Sequence, residues 1–181
     1  MTKADDHPNR RILIIDDNVG IHKDFQTIFH TVSEMGAVDQ ARTSLFGENP
    51  LARNLMRFEL DCTDRGQTAL ACIKQARHDG RPYAVAFVDM RMPTGWDGLE
   101  TIEHIWEVDQ EIQTVICTAY SDHSWDDIMH RLGYDDRLLI LQKPFSSVEV
   151  VQLATSLTQK WNLARQVRQR LEAAEAATVA K

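Results

Sequence analysis

The chain has 181 residues, of which 43% are hydrophobic, and its formal net charge is -7. This length fits one domain with some additional chain, and the hydrophobic fraction is sufficient for a sizeable core. Because the sequence contains no basic stripe, its charge argues against duplex DNA or an anionic membrane surface as the primary partner.

The amino-terminal sequence and the cysteines indicate where the protein works. Residues 1–9 are polar and lack the apolar core of a signal peptide, and no apolar run approaches the roughly 20 residues that a membrane span needs. The three cysteines, Cys62, Cys72 and Cys117, lack metal-binding spacing, so reduced thiols are favoured. We therefore expect a cytoplasmic protein with a disordered tail over residues 1–9.

Short apolar runs alternate with helical patterns along the chain, which is typical of βαβ units and a parallel sheet. Strands are predicted at residues 11–15, 58–62, 83–88, 113–117 and 138–141. A helix follows each strand, with starts near residues 19, 66, 98, 125 and 147. Asp122 or Ser124 is the predicted amino-terminal cap of the fourth helix.

Residues 33–54 interrupt this alternation. They are polar, and they contain Gly36, Gly47 and the pair Asn49-Pro50, all of which are signals for turns or breaks. Most connections between a helix and a strand are much shorter than this segment. We therefore expect an inserted loop of unknown role between the first helix and the second strand.

The last helix is predicted to continue well past the 12 to 15 residues that one layer of packing needs. Two series of residues recur every seven positions, as in the core of a coiled coil: Leu153, Val167 and Ala174, and Leu157, Ala164 and Leu171. Lys160 interrupts the first series, and the side chain of the neighbouring Trp161 is a candidate to fill its place in the apolar seam. The pattern favours a helical linker over residues 159–181 that forms a parallel coiled coil, with a charged, frayed tail as the alternative.

Charged residues come within two positions of the ends of three of the predicted strands. Asp16 and Asp17 follow the first strand, Asp89 follows the third, and Lys143 follows the fifth. Open α/β sheets bind their ligands at the carboxyl ends of the strands. The sequence therefore predicts three carboxylates and one ammonium group at one edge of the sheet.

These residues occur in a set of motifs that resembles a receiver domain of two-component signalling, over residues 10 to 158. The motifs are Asp16-Asp17, Asp89 with Met92-Pro93 and Asp97-Gly98, Thr118-Ala119, and Lys143-Pro144-Phe145. Their joint order and spacing make the match strong. The resemblance implies a flavodoxin-like, doubly wound fold with five parallel strands in the order 2-1-3-4-5, here with an extended C-terminal helix.

The resemblance also implies a magnesium site. Asp17 and Asp89 would bind the ion directly, Asp16 would act mainly through water, and the backbone carbonyl of Arg91 would complete the protein ligands. Oxygen ligands of this kind suit Mg²⁺. Clustered carboxylates repel one another, which is an independent reason to expect a cation.

The same resemblance implies a signalling switch rather than an enzyme with turnover, although slow self-dephosphorylation is compatible with it. Asp89 would accept a phosphoryl group from a sensor histidine kinase or a phosphotransfer protein. Lys143 and the hydroxyl of Thr118 would contact the phosphoryl oxygens, with the amide of Ala119 nearby. The C-terminal helix would then pass the signal to a dimer or an effector.

Two features depart from the family pattern. Ile140 occupies the position where many receivers carry a Tyr or Phe that moves inward on activation, so Tyr120 or Trp125 is a candidate for part of that coupling. The turn at residues 93–98 is one residue longer than the common form. This length is expected to bring Trp96 close to the metal site.

Two other functions remain open from the sequence. A magnesium-dependent phosphohydrolase would use Asp89 as its nucleophile, but such enzymes commonly carry a second aspartate two residues on, where this chain has Arg91. A scaffold that dimerises through its helix without phosphorylation is the second alternative.

Overall fold

A computed structural model describes residues 8–46, 57–119 and 125–179 of the protein. The strands are β1 (Arg11–Ile15), β2 (Glu59–Thr63), β3 (Val85–Asp89), β4 (Gln113–Thr118) and β5 (Leu138–Gln142). The helices are α1 (Val19–Phe46), α2 (Gly66–His78), α3 (Gly98–Val108), α4 (Trp125–Leu132) and α5 (Ser147–Val179).

The five strands form one parallel sheet in the order β2-β1-β3-β4-β5. This arrangement confirms the predicted fold class. Strand β3 lies at the centre, and all five of its residues are buried. Its continuous apolar run, Val85 to Val88, suits a strand that helices cover on both faces.

Two apolar clusters lie on opposite faces of the sheet. One includes Ile73 of α2, Ile102 of α3 and Ile128 of α4. The other includes Phe25 of α1 and Trp161 of α5. Helices therefore cover both faces of the sheet. The charged residues that the sequence predicts at the carboxyl ends of the strands lie outside these two apolar clusters.

Side-chain caps fix the starts of two helices. The Asp97 carboxylate accepts a hydrogen bond from the Glu100 amide at 2.7 Å and begins α3. At α5, the Glu149 carboxylate accepts from the Ser146 amide at 2.7 Å, while the Glu149 amide donates to the Ser146 hydroxyl at 3.3 Å. This reciprocal arrangement is a capping box. The predicted cap of α4 at Asp122 or Ser124 lies outside the described residues.

Helix α1 is longer than the sequence pattern predicted. The prediction of an inserted loop at residues 33–54 was wrong for residues 33–46, because these residues are helical. One glycine in a helix costs only about 1 kcal/mol relative to alanine, which is too little to end it. Gly36 is followed by Ala37, Gln40 and Ala41, which favour helices. Residues 47–54 lie outside the described part of the chain.

Helix α5 continues far beyond the layer that it covers. Trp161 is its last buried residue, and at about 1.5 Å per residue the remaining part to Val179 is about 27 Å long. The large apolar side chains of Leu163, Val167 and Leu171 are 61%, 58% and 59% exposed there.

Within the described ranges, no helix is both long and apolar enough to cross a membrane.

Candidate phosphoacceptor site

The sheet topology brings the predicted charged residues to one edge. Strand β1 lies beside β3, with Ile15 opposite Val88. Asp16, directly after β1, and Asp89, the last residue of β3, therefore lie at neighbouring strand ends. Lys143 follows β5, and its amide donates to the carbonyl of Thr118 at the end of β4 at 2.8 Å. Side chains from three strands of the parallel sheet therefore meet at its carboxyl edge.

Asp16, Asp17 and Asp89 form a cluster of carboxylates. One carboxylate oxygen from each of the three residues lies within 4.8 Å of the other two. Asp16 and Asp89 are buried, with exposures of 2% and 8%, whereas Asp17 is exposed. The Asp16 carboxylate also accepts a hydrogen bond from the Asn18 amide at 2.9 Å, which fixes its position at the start of α1.

Lys143 bridges two of the carboxylates. Its Nζ donates to Asp16 Oδ2 and to Asp89 Oδ1, both at 2.8 Å. Burial favours the neutral amine, but the hydrogen bonds to Asp16 and Asp89 outweigh it and raise the pKa of Lys143 well above its ordinary value. The ammonium ion is therefore fixed beside Asp89 before any phosphoryl group arrives.

The environment of Asp89 makes its ionised form costly. Burial raises the pKa of its carboxyl group above the ordinary value of 3.8, the Lys143 ammonium lowers it in part, and the neighbouring Asp16 and Asp17 raise it again. One lysine therefore compensates the cluster incompletely. An additional cation would relieve the remaining repulsion.

The turn after Asp89 is held against it by a close backbone contact. The Gly98 amide donates to the Met90 carbonyl at 3.1 Å. A Cβ atom at Gly98 would lie 2.5 Å from the Asp89 carbonyl oxygen and 2.9 Å from the Met90 Cα, which no side chain permits. Glycine is therefore required here for close approach between the start of α3 and the end of β3.

The other predicted residues lie on β4, on β5 and in the turn after Asp89. Thr118 ends β4 beside Asp89, and its partly exposed hydroxyl donates to the Ala119 carbonyl at 3.2 Å. Arg91 is exposed in the turn two residues after Asp89. The Trp96 ring packs against His104 of α3, with ring centroids 4.1 Å apart and the ring planes tilted by 32°. Ile140 packs with the cluster on the α4 side, and Tyr120 lies outside the described residues.

Sequence reasoning missed one set of contacts near the site. Arg131 of α4 forms ion pairs with Glu103 and Asp97 of the α3 region. The role of Asp97 as a helix cap could have been predicted from the sequence, because a short polar residue before a glycine and an apolar run is a typical helix cap. The ion pairs of Arg131 could not have been predicted, because its partners are 28 and 34 residues away in the chain.

Comparison with known protein families supports what the geometry indicates. The family model described as the response regulator receiver domain matches residues 48–155, which is more than half of the chain. The chain belongs to the response regulator receiver family. The matched range contains Asp89, Thr118 and Lys143, while Asp16 and Asp17 precede it. The predicted family is thus confirmed.

One curated relative of this receiver domain is the transcriptional regulatory protein AruR of Pseudomonas aeruginosa. It is 27% identical over 126 residues, which are 66% of this chain and 50% of that protein. The chain therefore spans about half of that relative's length. The match agrees with a receiver domain of a two-component response regulator.

Solved structures share the fold of this receiver domain. A receiver domain protein described as CheY-like, from Methanospirillum hungatei, has a TM-score of 0.59 and 16% identity, and the match covers 84% of this chain and 96% of that chain. A protein described as an adenylate cyclase from Rhodopirellula baltica has a TM-score of 0.63 and 22% identity, with coverage of 91% and 98%. At these identities the likeness concerns the fold alone.

Proposed function

We propose that this receiver domain is a phosphorylation-dependent switch whose acceptor is Asp89. The observation that carries this proposal is the buried Asp89 carboxylate, held 2.8 Å from the Lys143 ammonium and clustered with Asp16 and Asp17. The donor would be a phosphohistidine on a sensor histidine kinase or a phosphotransfer protein.

Phosphoryl transfer to a carboxylate is hindered because both reactants are negative. Catalysis of such a transfer is mainly positioning and charge stabilisation. An Asp89 oxygen would attack phosphorus, the bond from phosphorus to the donor nitrogen would break, and an acyl phosphate would form on Asp89. Lys143, whose Nζ contacts Asp89 Oδ1, would stabilise the added charge. The Thr118 hydroxyl would turn to donate to a phosphoryl oxygen.

The residues at this edge fit Mg²⁺. Their potential ligands are oxygen atoms alone. Burial and the neighbouring carboxylates raise the pKa of Asp89, and a cation would relieve the repulsion among those carboxylates. Asp16, Asp17, Asp89 and the carbonyl of Arg91 are the residues that would hold the ion. When bound, Mg²⁺ would supply positive charge that offsets the charge on the phosphoryl oxygens.

The signal would leave the domain through α5. Phosphorylation would draw Thr118 and Lys143 inward and repack the face formed by α4, β5 and α5. In a parallel pair of α5 helices, Ala164, Val167, Leu171 and Ala174 would form the seam. This pairing receives support from the exposure of Val167 and Leu171.

Charge supports the parallel orientation of this pair. With the seam as defined, Arg170 and Glu175 occupy flanking positions five residues apart. In a parallel coiled coil these are the positions that meet between chains. Arg170 of one copy would therefore face Glu175 of the other.

The decisive experiment is phosphate-affinity electrophoresis of the protein incubated with acetyl phosphate and Mg²⁺. We expect a retarded band that disappears in Asp89→Asn and in the absence of Mg²⁺. Asp24→Asn, which removes one exposed carboxylate of α1, is the matched control and should behave as wild type. Equal behaviour of wild type and Asp89→Asn, under conditions that modify a control receiver, would argue for the unphosphorylated scaffold.

A further inference from the structure

Helix α4 is held to the rest of the protein by few buried side chains. Ile128 is its one fully buried residue, with Met129 and Leu132 packed partly against the same apolar cluster. Trp125, the first residue of the helix, is 52% exposed. A short helix with so little buried surface depends on its polar contacts for its position.

Arg131 joins α4 to α3 through polar contacts. Its guanidinium group binds the Glu103 carboxylate in a bidentate manner, with Nη2 2.7 Å from Oε2 and Nε 3.2 Å from Oε1. Its Nη1 also lies 3.5 Å from Asp97 Oδ2. Bidentate pairs are directional, so they fix the position as well as the distance of the helix.

Asp97 connects this ion pair to the acceptor residue. Its other carboxylate oxygen caps α3 by accepting from the Glu100 amide at 2.7 Å. The next residue, Gly98, is in backbone contact with Met90 and Asp89. Asp97 is therefore linked through Gly98 to the backbone that carries Asp89.

We propose that Arg131 is a positioning residue that clamps α4 to the phosphoacceptor turn, and that this clamp opposes the phosphorylated conformation. The second half of this inference rests on the proposed function of Asp89. In this proposal the ion pair of Arg131 couples the position of α4 to the phosphorylation of Asp89. In many receivers an aromatic residue at the position of Ile140 has this coupling role.

The direction of the effect follows from the movement that the proposed function assigns to α4. Phosphorylation of Asp89 would repack the face formed by α4, β5 and α5. Arg131 opposes that movement, because its ion pair with Glu103 holds α4 to α3. Because coupling between sites is reciprocal, releasing the clamp should favour phosphorylation of Asp89.

The test uses a double-mutant cycle of Arg131→Gln and Glu103→Gln in the full chain. Two measurements are made: amide hydrogen exchange of residues 125–132, and the rate of modification by acetyl phosphate with Mg²⁺. Each single variant should speed exchange in α4 and raise the modification rate by about 1.5- to 5-fold, the factors that correspond to half-exposed ion pairs. The double variant should match Arg131→Gln, because Glu103→Gln removes a contact that Arg131→Gln already removes.

Arg81→Gln is the matched control. Arg81 pairs with Glu59 at the same 2.7 Å distance, but at the opposite edge of the sheet. This variant should leave both measurements unchanged. A general effect of removing one surface arginine would change them and would overturn the specific role of Arg131.

The outcomes separate the clamp from the proposed function. Unchanged exchange in α4 would overturn the clamp. Faster exchange with an unchanged modification rate would overturn its coupling to Asp89. If wild type itself is not modified, the proposed function fails and the coupling fails with it, while the exchange data still decide whether Arg131 holds α4.

Discussion

At the residue scale, the balance of charge around Asp89 has a consequence for stability. Its pKa is raised above 3.8 by burial and by Asp16 and Asp17, so the folded protein binds a proton there more tightly than the unfolded chain does. The contribution of Asp89 to the free energy of unfolding therefore falls as the pH rises from 3.8 through the raised pKa, because Asp89 loses its proton over this range. At pH 7 the ionised carboxylate is a net cost.

We therefore expect Asp89→Asn to raise the thermal midpoint at pH 7 by roughly 2–4 °C, the shift that ~1 kcal/mol gives in a protein of this size. The gain should shrink as the pH falls toward 4, because wild-type Asp89 then becomes protonated. Thermal unfolding at several pH values measures it, with Asp24→Asn as control. A lower midpoint at pH 7 would mean that the bond to Lys143 outweighs burial and repulsion.

At the element scale, the junction of β3 and α3 depends on a glycine. The Cβ atom of Gly98→Ala would meet backbone atoms, which cannot rotate away as a side chain can. We expect this variant to lose about 1–3 kcal/mol of unfolding free energy, as overpacked sites do. Urea unfolding provides the measurement.

Gly20→Ala is a suitable comparison, since Gly20 also lies in the first turn of a helix. Its added Cβ would meet the Asn18 side-chain oxygen at 3.0 Å, and that side chain can move. We expect little loss or a gain, because alanine favours a helix over glycine. Equal losses in both variants would show that close backbone approach is not the cause at Gly98.

At the scale of the whole molecule, α5 is anchored firmly at its base and exposed beyond it. Trp161 is buried, and Asn162 exchanges hydrogen bonds with Asn9, donating to its carbonyl and accepting from its amide, each at 2.8 Å. Arg168 pairs with Glu111. These contacts fix the direction in which the exposed part of the helix leaves the domain.

We expect the double variant Val167→Glu and Leu171→Glu to abolish dimers of the phosphorylated protein while leaving the domain's stability within about 0.5 kcal/mol, since both side chains are exposed. Light scattering before and after phosphorylation measures the first effect, and urea unfolding of the monomer measures the second. The control carries the same charge change at Gln166 and Gln169, outside the seam. Persistent dimers would place the interface elsewhere.

Local sequence determined much of the fold. The apolar run at β3, the apolar spacing in α1 and α2, and the cap and glycine that begin α3 are signals that act within one element. For this reason the starts of α3 and α4 were predicted correctly. The strand order was also predicted correctly, but it came from the resemblance to the receiver family. The extension of α1 through Phe46 was missed because glycine and polar residues weaken a helix without ending it.

By itself the sequence determined that acidic residues and one lysine follow strand ends, since the parallel sheet it encodes places those ends along one edge. Only the tertiary structure decided which groups touch: that Lys143 bridges Asp16 and Asp89, and that Arg131 joins α4 to Asp97. Such contacts join residues tens of positions apart. Their geometry depends on how packed helices are offset, and no local pattern records that offset.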